Sequence, residues 1–139
     1  MAEPVTIIMV EDDTGHARLI EKNIRRAGVS NEILHFDHGA SALEFLEQST
    51  PQSPLLILLD LNLPDMSGTD ILEKIKADEK LHRSPVIVLT TTDDKVEIQR
   101  CYDLGCNVYI TKPVEYETFA SAIRQLGLFL SVMQVPSPE

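Results

Sequence analysis

The chain contains no tryptophan, and phenylalanine and tyrosine bring its aromatic content to only 5% of 139 residues. Aliphatic side chains must therefore build the core, and a chain of this length fills one domain. Cysteine is scarce as well. Cys101 and Cys106 have no metal-site spacing to a neighbouring His or Cys pair, so they read as small buried or half-buried thiols in a reduced compartment. Positive charge is in short supply, with 12 Lys and Arg against 22 Asp and Glu, a net charge of -10 and a pI near 4.7. Such a chain is a poor direct partner for nucleic acid or an anionic membrane, whereas metal cations and basic protein surfaces suit it. No apolar run approaches the roughly 18 residues that span a bilayer. The start, MAEPVTIIMVEDD, has no basic cluster before its apolar stretch, as a secretory signal would need. A soluble cytoplasmic protein is the expectation.

Short apolar runs alternating with helical spacing fill the rest of the chain. Val5 to Val10 reads as a buried strand, followed by helical spacing at Ala17, Ile20, Ile24 and Ala27, with Gly28 as a stop. Glu32 to Phe36 is a weaker strand, and Ala40 to Gln48 a second helix. Leu55 to Leu59 is five consecutive aliphatic residues, the mark of a central parallel strand covered on both faces. A loop with Pro64 and Gly68 leads to a helix carrying Ile71, Leu72 and Ile75. Pro85 opens the strand Val86 to Leu89, and Asp93 or Asp94 can cap the following helix. Val108 to Ile110 is a short fifth strand, with a last helix from about Val114. Five βα units imply an open, doubly wound α/β sheet with right-handed crossovers. By analogy the strand order is flavodoxin-like, 2-1-3-4-5. One domain then covers residues 1–139, with its core in 5–130 and a helix end and tail in 131–139.

Four pieces follow these strands: Glu11-Asp12-Asp13, Asp60, Thr90-Thr91-Thr92 and Lys112-Pro113. The carboxyl ends of parallel strands lie along one sheet edge, so the pieces converge there. Crowded carboxylates repel one another, but a divalent cation turns that repulsion into affinity, and hard oxygen ligands favour Mg²⁺. Read alone, the acidic triplet also suits a solvated helix start. Asp60 has a poorer structural explanation, because a carboxylate after five aliphatic residues is costly unless compensated. It can act as a nucleophile that accepts a phosphoryl group. Lys112 can pair with a carboxylate or phosphate oxygen, and Thr90 can donate to the same phosphate. A surface lysine and an ordinary β-branched strand residue are their plainer readings. Pro113, in a tight turn, would fix where Lys112 points.

The pattern VEDD…LLDLNLPDMSG…VIVLTT…VYITKP resembles the receiver domain of bacterial two-component response regulators, over Val5 to about Leu130. The resemblance implies that Asp60 is the phospho-acceptor and that Glu11 and Asp12 hold Mg²⁺ with Asp60 and the Asn62 main-chain carbonyl. It further implies that Thr90 is the switch hydroxyl, Tyr109 the switch aromatic and Lys112 the phosphate-pairing lysine. Asp13 is left with helix capping. Thr91 departs from the family, where alanine or another small residue often follows the switch threonine. The segment from Cys101 to Pro136 is similar to stand-alone regulators paired with cyanobacterial and bacterial phytochromes, though without their frequent tryptophan. A sensor histidine kinase of phytochrome type is the implied donor, and a histidine phosphotransfer protein the alternative recipient.

The final helix carries a core-facing stripe of Phe119, Ala122, Ile123 and Leu126, after which apolar residues spread around it. A homodimer through the last two helices is expected, with Phe119, Ile123, Phe129, Leu130 and Met133 as contact candidates. His16, His35, His38 and His82 read as surface or edge residues, although His16 begins the helix where the family docks its kinase. Two rivals share the topology. A metal-dependent phosphohydrolase would usually place a second carboxylate two residues after its nucleophile, where this chain has Asn62. A flavin carrier would want a Ser-, Thr- and Gly-rich first loop, and this one is acidic.

Overall fold

A computed structural model describes residues 5–48, 55–112 and 115–125. Ten elements alternate along it: β1 (Thr6–Val10), α1 (Thr14–Arg26), β2 (Ile33–Phe36), α2 (Gly39–Gln48), β3 (Leu55–Leu59), α3 (Gly68–Ala77), β4 (Val86–Thr90), α4 (Lys95–Leu104), β5 (Val108–Thr111) and α5 (Tyr116–Gln125). The strands form one parallel sheet in the order β2-β1-β3-β4-β5, as expected for the doubly wound class.

Side chains alternate across the sheet, so each strand feeds two cores. On one face Ile7, Met9, Leu56, Leu58, Ile87 and Ile110 pack with Ala17, Ile20 and Ile24 of α1 and Phe119 of α5. On the other, Ile8, Val10, Ile57, Leu59 and Val88 pack with residues of α2, α3 and α4. Every residue of β3 is buried, which explains its unbroken aliphatic run. β2, at the sheet edge, is partly exposed and only four residues long.

The helix boundaries follow local chemistry. The side chain of Asp13 caps α1 by accepting from the His16 amide at 2.9 Å, and Asp94 does the same for α4 through the Val96 amide at 3.0 Å. α4 stops at Gly105, whose φ of 110° lies in the left-handed region that glycine tolerates. Cys101 and Cys106 are both free and buried. Desolvation pushes their thiols up to about 11 and about 12, so they stay protonated and unreactive near neutral pH.

Two expectations change here, and a third falls outside the described residues. The last helix begins at Tyr116, after the position expected, while Pro113 and Val114 lie outside the described residues. Phe119 is fully buried against α1 and the sheet, so it belongs to the core and cannot present a surface to a second copy. The side chain of Ile123, together with Leu126, Phe129, Leu130 and Met133, also lies outside the described residues.

Candidate functional site

Parallel pairing sets the site by bringing strand ends level. β1 and β3 run in register to Val10 and Leu59, and the Asp60 amide then donates to the Val10 carbonyl at 3.0 Å. Glu11 and Asp60 thus leave adjacent strands side by side. On the other side of β3, Thr90 ends β4, and the Lys112 amide donates to its carbonyl at 2.7 Å. Four chain segments far apart in sequence meet at one edge.

Lys112 Nζ sits between the carboxylates, 2.6 Å from Glu11 Oε1 and 3.2 Å from Asp60 Oδ2. All three side chains are nearly sealed from water, at 6%, 1% and 5% exposure for Lys112, Glu11 and Asp60. Two carboxylates about 4 Å apart repel by roughly 4 kcal/mol at an effective dielectric near 20, so a cation between them is needed. Burial holds the Glu11 carboxyl above its ordinary pKa. The Lys112 hydrogen bond opposes that rise, and the Asp60 charge adds to it. The second Glu11 oxygen accepts from the Asp13 amide at 3.1 Å, and Asp60 Oδ1 accepts from the Asn62 amide at 3.1 Å.

Asp12 plays a different part from Glu11, because it is exposed at the mouth. Carboxylate oxygens of Glu11, Asp12 and Asp60 lie within 4.8 Å of one another. Three carboxylates against one ammonium leave negative charge uncompensated when all are ionised. That donor set, all hard oxygen, fits a divalent cation.

Thr90 is wholly buried, and its Oγ1 accepts from Asn62 Nδ2 at 3.2 Å and from the Thr92 amide at 3.4 Å. Both contacts use the oxygen as acceptor, leaving the hydroxyl hydrogen to donate. Tyr109, half-buried on β5, donates through its hydroxyl to the Thr92 carbonyl at 2.7 Å. Desolvation raises this phenol to about 12, so it remains a donor throughout the physiological range. Thr91 is exposed.

The loop after Asp60 is fixed at both ends. Asp65 accepts from the Gly39 and Ala40 amides, each at 2.8 Å, and fastens the loop to the start of α2. The Ala40 contact first, then Gly39, holds the Asp65 carboxyl below its usual range. At the other end Gly68 donates to the Leu61 carbonyl at 2.9 Å. A Cβ on Gly68 would collide with the Asp60 carbonyl oxygen and lie 2.6 Å from Leu61 Cα.

Three contacts escaped the sequence reading. His16 Nδ1 lies 3.0 Å from Lys112 Nζ, His35 Nε2 lies 2.7 Å from the Glu11 carbonyl oxygen, and the Asn62 side chain reaches Thr90. Only for His16 was there a signal: it lies in the first turn of the helix that follows the acidic cluster. The other two need the pairing of β1 with β2 and of β3 with β4, which spacing does not reveal.

Comparison with known proteins agrees with this geometry. The family model described as the response regulator receiver domain matches residues 7–124. A receiver domain from Rhodospirillum rubrum is 65% identical, covers 96% of this chain and 99% of its own, and superposes with a TM-score of 0.79. Response regulator Rcp1 of Synechocystis sp. is 37% identical over 114 residues, which are 78% of this chain and 77% of Rcp1. A Mn²⁺-bound structure of Rcp1 gives a TM-score of 0.75, with 98% of this chain and 100% of that one covered. The phosphorylated cyanobacterial phytochrome response regulator RcpA is 35% identical, with a TM-score of 0.77 and coverage of 98% and 100%.

Gly68→Ala is expected to destabilise the fold by about 1–3 kcal/mol, because the obstructing atoms are backbone and cannot swing aside. Urea unfolding measures this, and an unchanged midpoint would refute the close approach.

Proposed function

The chain belongs to the response regulator receiver family, and from that premise we propose that Asp60 accepts a phosphoryl group from a phosphohistidine on a sensor kinase. The observation that carries this reading is the buried Asp60 carboxylate, held 3.2 Å from Lys112 Nζ within a cluster of acidic groups. An Asp60 oxygen attacks phosphorus, the phosphorus–nitrogen bond breaks, and the imidazole takes the electron pair. An acyl phosphate results.

Catalysis of such a transfer is mostly positioning and charge stabilisation. Glu11, Asp12 and Asp60, with the Asn62 main-chain carbonyl, would hold Mg²⁺, which would supply positive charge to offset that on the phosphoryl oxygens. Lys112 pairs with one of those oxygens, exchanging a carboxylate contact for a phosphate contact. The Thr90 hydroxyl hydrogen gains an acceptor at the same group. Movement of Thr90 disturbs its contacts with Asn62 and Thr92, and Tyr109 senses this through the Thr92 carbonyl. Phosphorylation thereby biases a two-state surface formed by α4, β5 and α5.

The similarity to RcpA supports a phytochrome-type kinase as the donor, and the Mn²⁺-bound form of Rcp1 supports a divalent cation site. No helix among the described residues is long and apolar enough to cross a membrane, which suits a cytoplasmic location. Output passes through protein contact. Val96 and Tyr102 are exposed on α4, and a cleft of about 480 Å³ lies between β5 and α5. A second copy docking there makes a homodimer, and a histidine phosphotransfer protein is the alternative recipient of the phosphate. The phosphohydrolase reading is disfavoured because Asn62 is spent on Thr90 and offers no second carboxylate. The flavin reading is disfavoured by the acidic first loop.

Asp60→Asn is expected to abolish incorporation of labelled phosphate from acetyl phosphate and Mg²⁺. Stable label at wild-type level on that variant would overturn the assignment. For the homodimer, solution mass with and without a phosphoryl mimic decides. A monomer in both states would remove it.

A further inference from the structure

His16 places a ring nitrogen on the ammonium at the centre of the site, and the phosphoryl transfer leaves that contact unused. A lysine ammonium has three protons and no acceptor. Among the described residues, three acceptors surround Lys112 Nζ: Glu11 Oε1 at 2.6 Å, His16 Nδ1 at 3.0 Å and Asp60 Oδ2 at 3.2 Å. Because the ammonium only donates, Nδ1 must offer its lone pair, and the imidazole proton sits on Nε2. The His16 amide donates to the α1 cap, Asp13, which fixes the backbone from which the ring extends. Its side chain is 45% exposed at the pocket mouth, with Glu11 Oε2 3.9 Å and Asp13 Oδ2 4.0 Å from Nδ1.

The three acceptors have unequal consequences. Glu11 is buried and its bond is the shortest, so it pulls the ammonium inward. Asp60 must give up part of its contact when a phosphoryl group occupies it. Lysine is a compact charge on a flexible stem and holds position only through its partners. We propose that His16 is a positioning residue: its Nδ1 holds Lys112 Nζ forward, toward the place a phosphoryl oxygen takes, against the pull of Glu11. This rests on the phospho-acceptor reading of Asp60 and adds a fixed support for the phosphate-pairing lysine.

The test uses the full chain, with acetyl phosphate and Mg²⁺ as the probe and three variants of His16. Loss of one hydrogen bond to the ammonium in His16→Ala is expected to slow phosphorylation about fivefold. His16→Asn carries an amide oxygen close to the position of Nδ1 and should recover to within about twofold of wild type. His16→Gln carries its oxygen further out and should stay near the alanine variant. A purely structural role would not sort asparagine from glutamine. Nitrogen-15 imidazole spectra of the metal-free protein should show the proton on Nε2. A wild-type rate in His16→Ala, equal rates in the asparagine and glutamine variants, or a proton on Nδ1 would each overturn the proposal. Label persisting on Asp60→Asn, or absent from the wild type, would instead defeat the phospho-acceptor reading. In that case the imidazole spectrum still decides whether Nδ1 accepts from Lys112.

Discussion

The contact of Lys112 with Glu11 and Asp60 is the constraint on which the rest of this molecule depends. Two buried carboxylates side by side are unstable without a cation, and the one supplied comes from 52 residues beyond Asp60. The sheet exists, in functional terms, to hold these groups level. β1 and β3 set Glu11 beside Asp60, while the β4–β5 pairing sets the amide of Lys112 on the carbonyl of Thr90. Two cores, one on each face, make the sheet rigid enough for contacts of 2.6 and 3.2 Å to persist. The same contact suits a changeable site, since in the proposed function the ammonium exchanges a carboxylate oxygen for a phosphoryl oxygen.

The route outward from the site is equally local. Thr90 reports to Asn62 and Thr92, and Thr92 is tied to Tyr109 on β5. Each link is a single hydrogen bond, and the Tyr109 amide in turn donates to the Tyr102 hydroxyl of α4, so under the proposed function a displacement at Asp60 has a short path to β5 and α4. A net charge of -10 repels nucleic acid and favours basic protein surfaces.

Much of this was legible in the sequence because burial leaves a pattern. The five aliphatic residues Leu55 to Leu59 could only be a strand covered on both faces, and Asp60 stood out as a charge at its end. Helix caps were legible because capping depends on near neighbours: Asp13 caps α1, and of the pair Asp93 or Asp94 the structure selects Asp94. What could not be read was how residues on different strands divide their work. Glu11 and Asp12 look alike in sequence, yet one is buried beneath Lys112 and the other opens to solvent. Phe119 was read both as part of a core stripe and as a dimer-contact candidate, and its burial in one cluster with Ile20 and Ile24 decided for the core. His16 stood out only for its place at the start of the helix after the acidic cluster, and its contact with Lys112 was hidden because that partner lies 96 residues away. The strand order rested on analogy, and it is what joins these groups.

The most direct test of a carboxylate site organised around Lys112 is fluorine NMR of the protein with beryllofluoride, a phosphoryl mimic that bonds to a carboxylate oxygen. The account predicts distinct bound fluorine resonances that require Mg²⁺, vanish in Asp60→Asn and shift in Lys112→Met. Bound resonances that persist in Asp60→Asn, or that ignore the loss of Lys112, would contradict it.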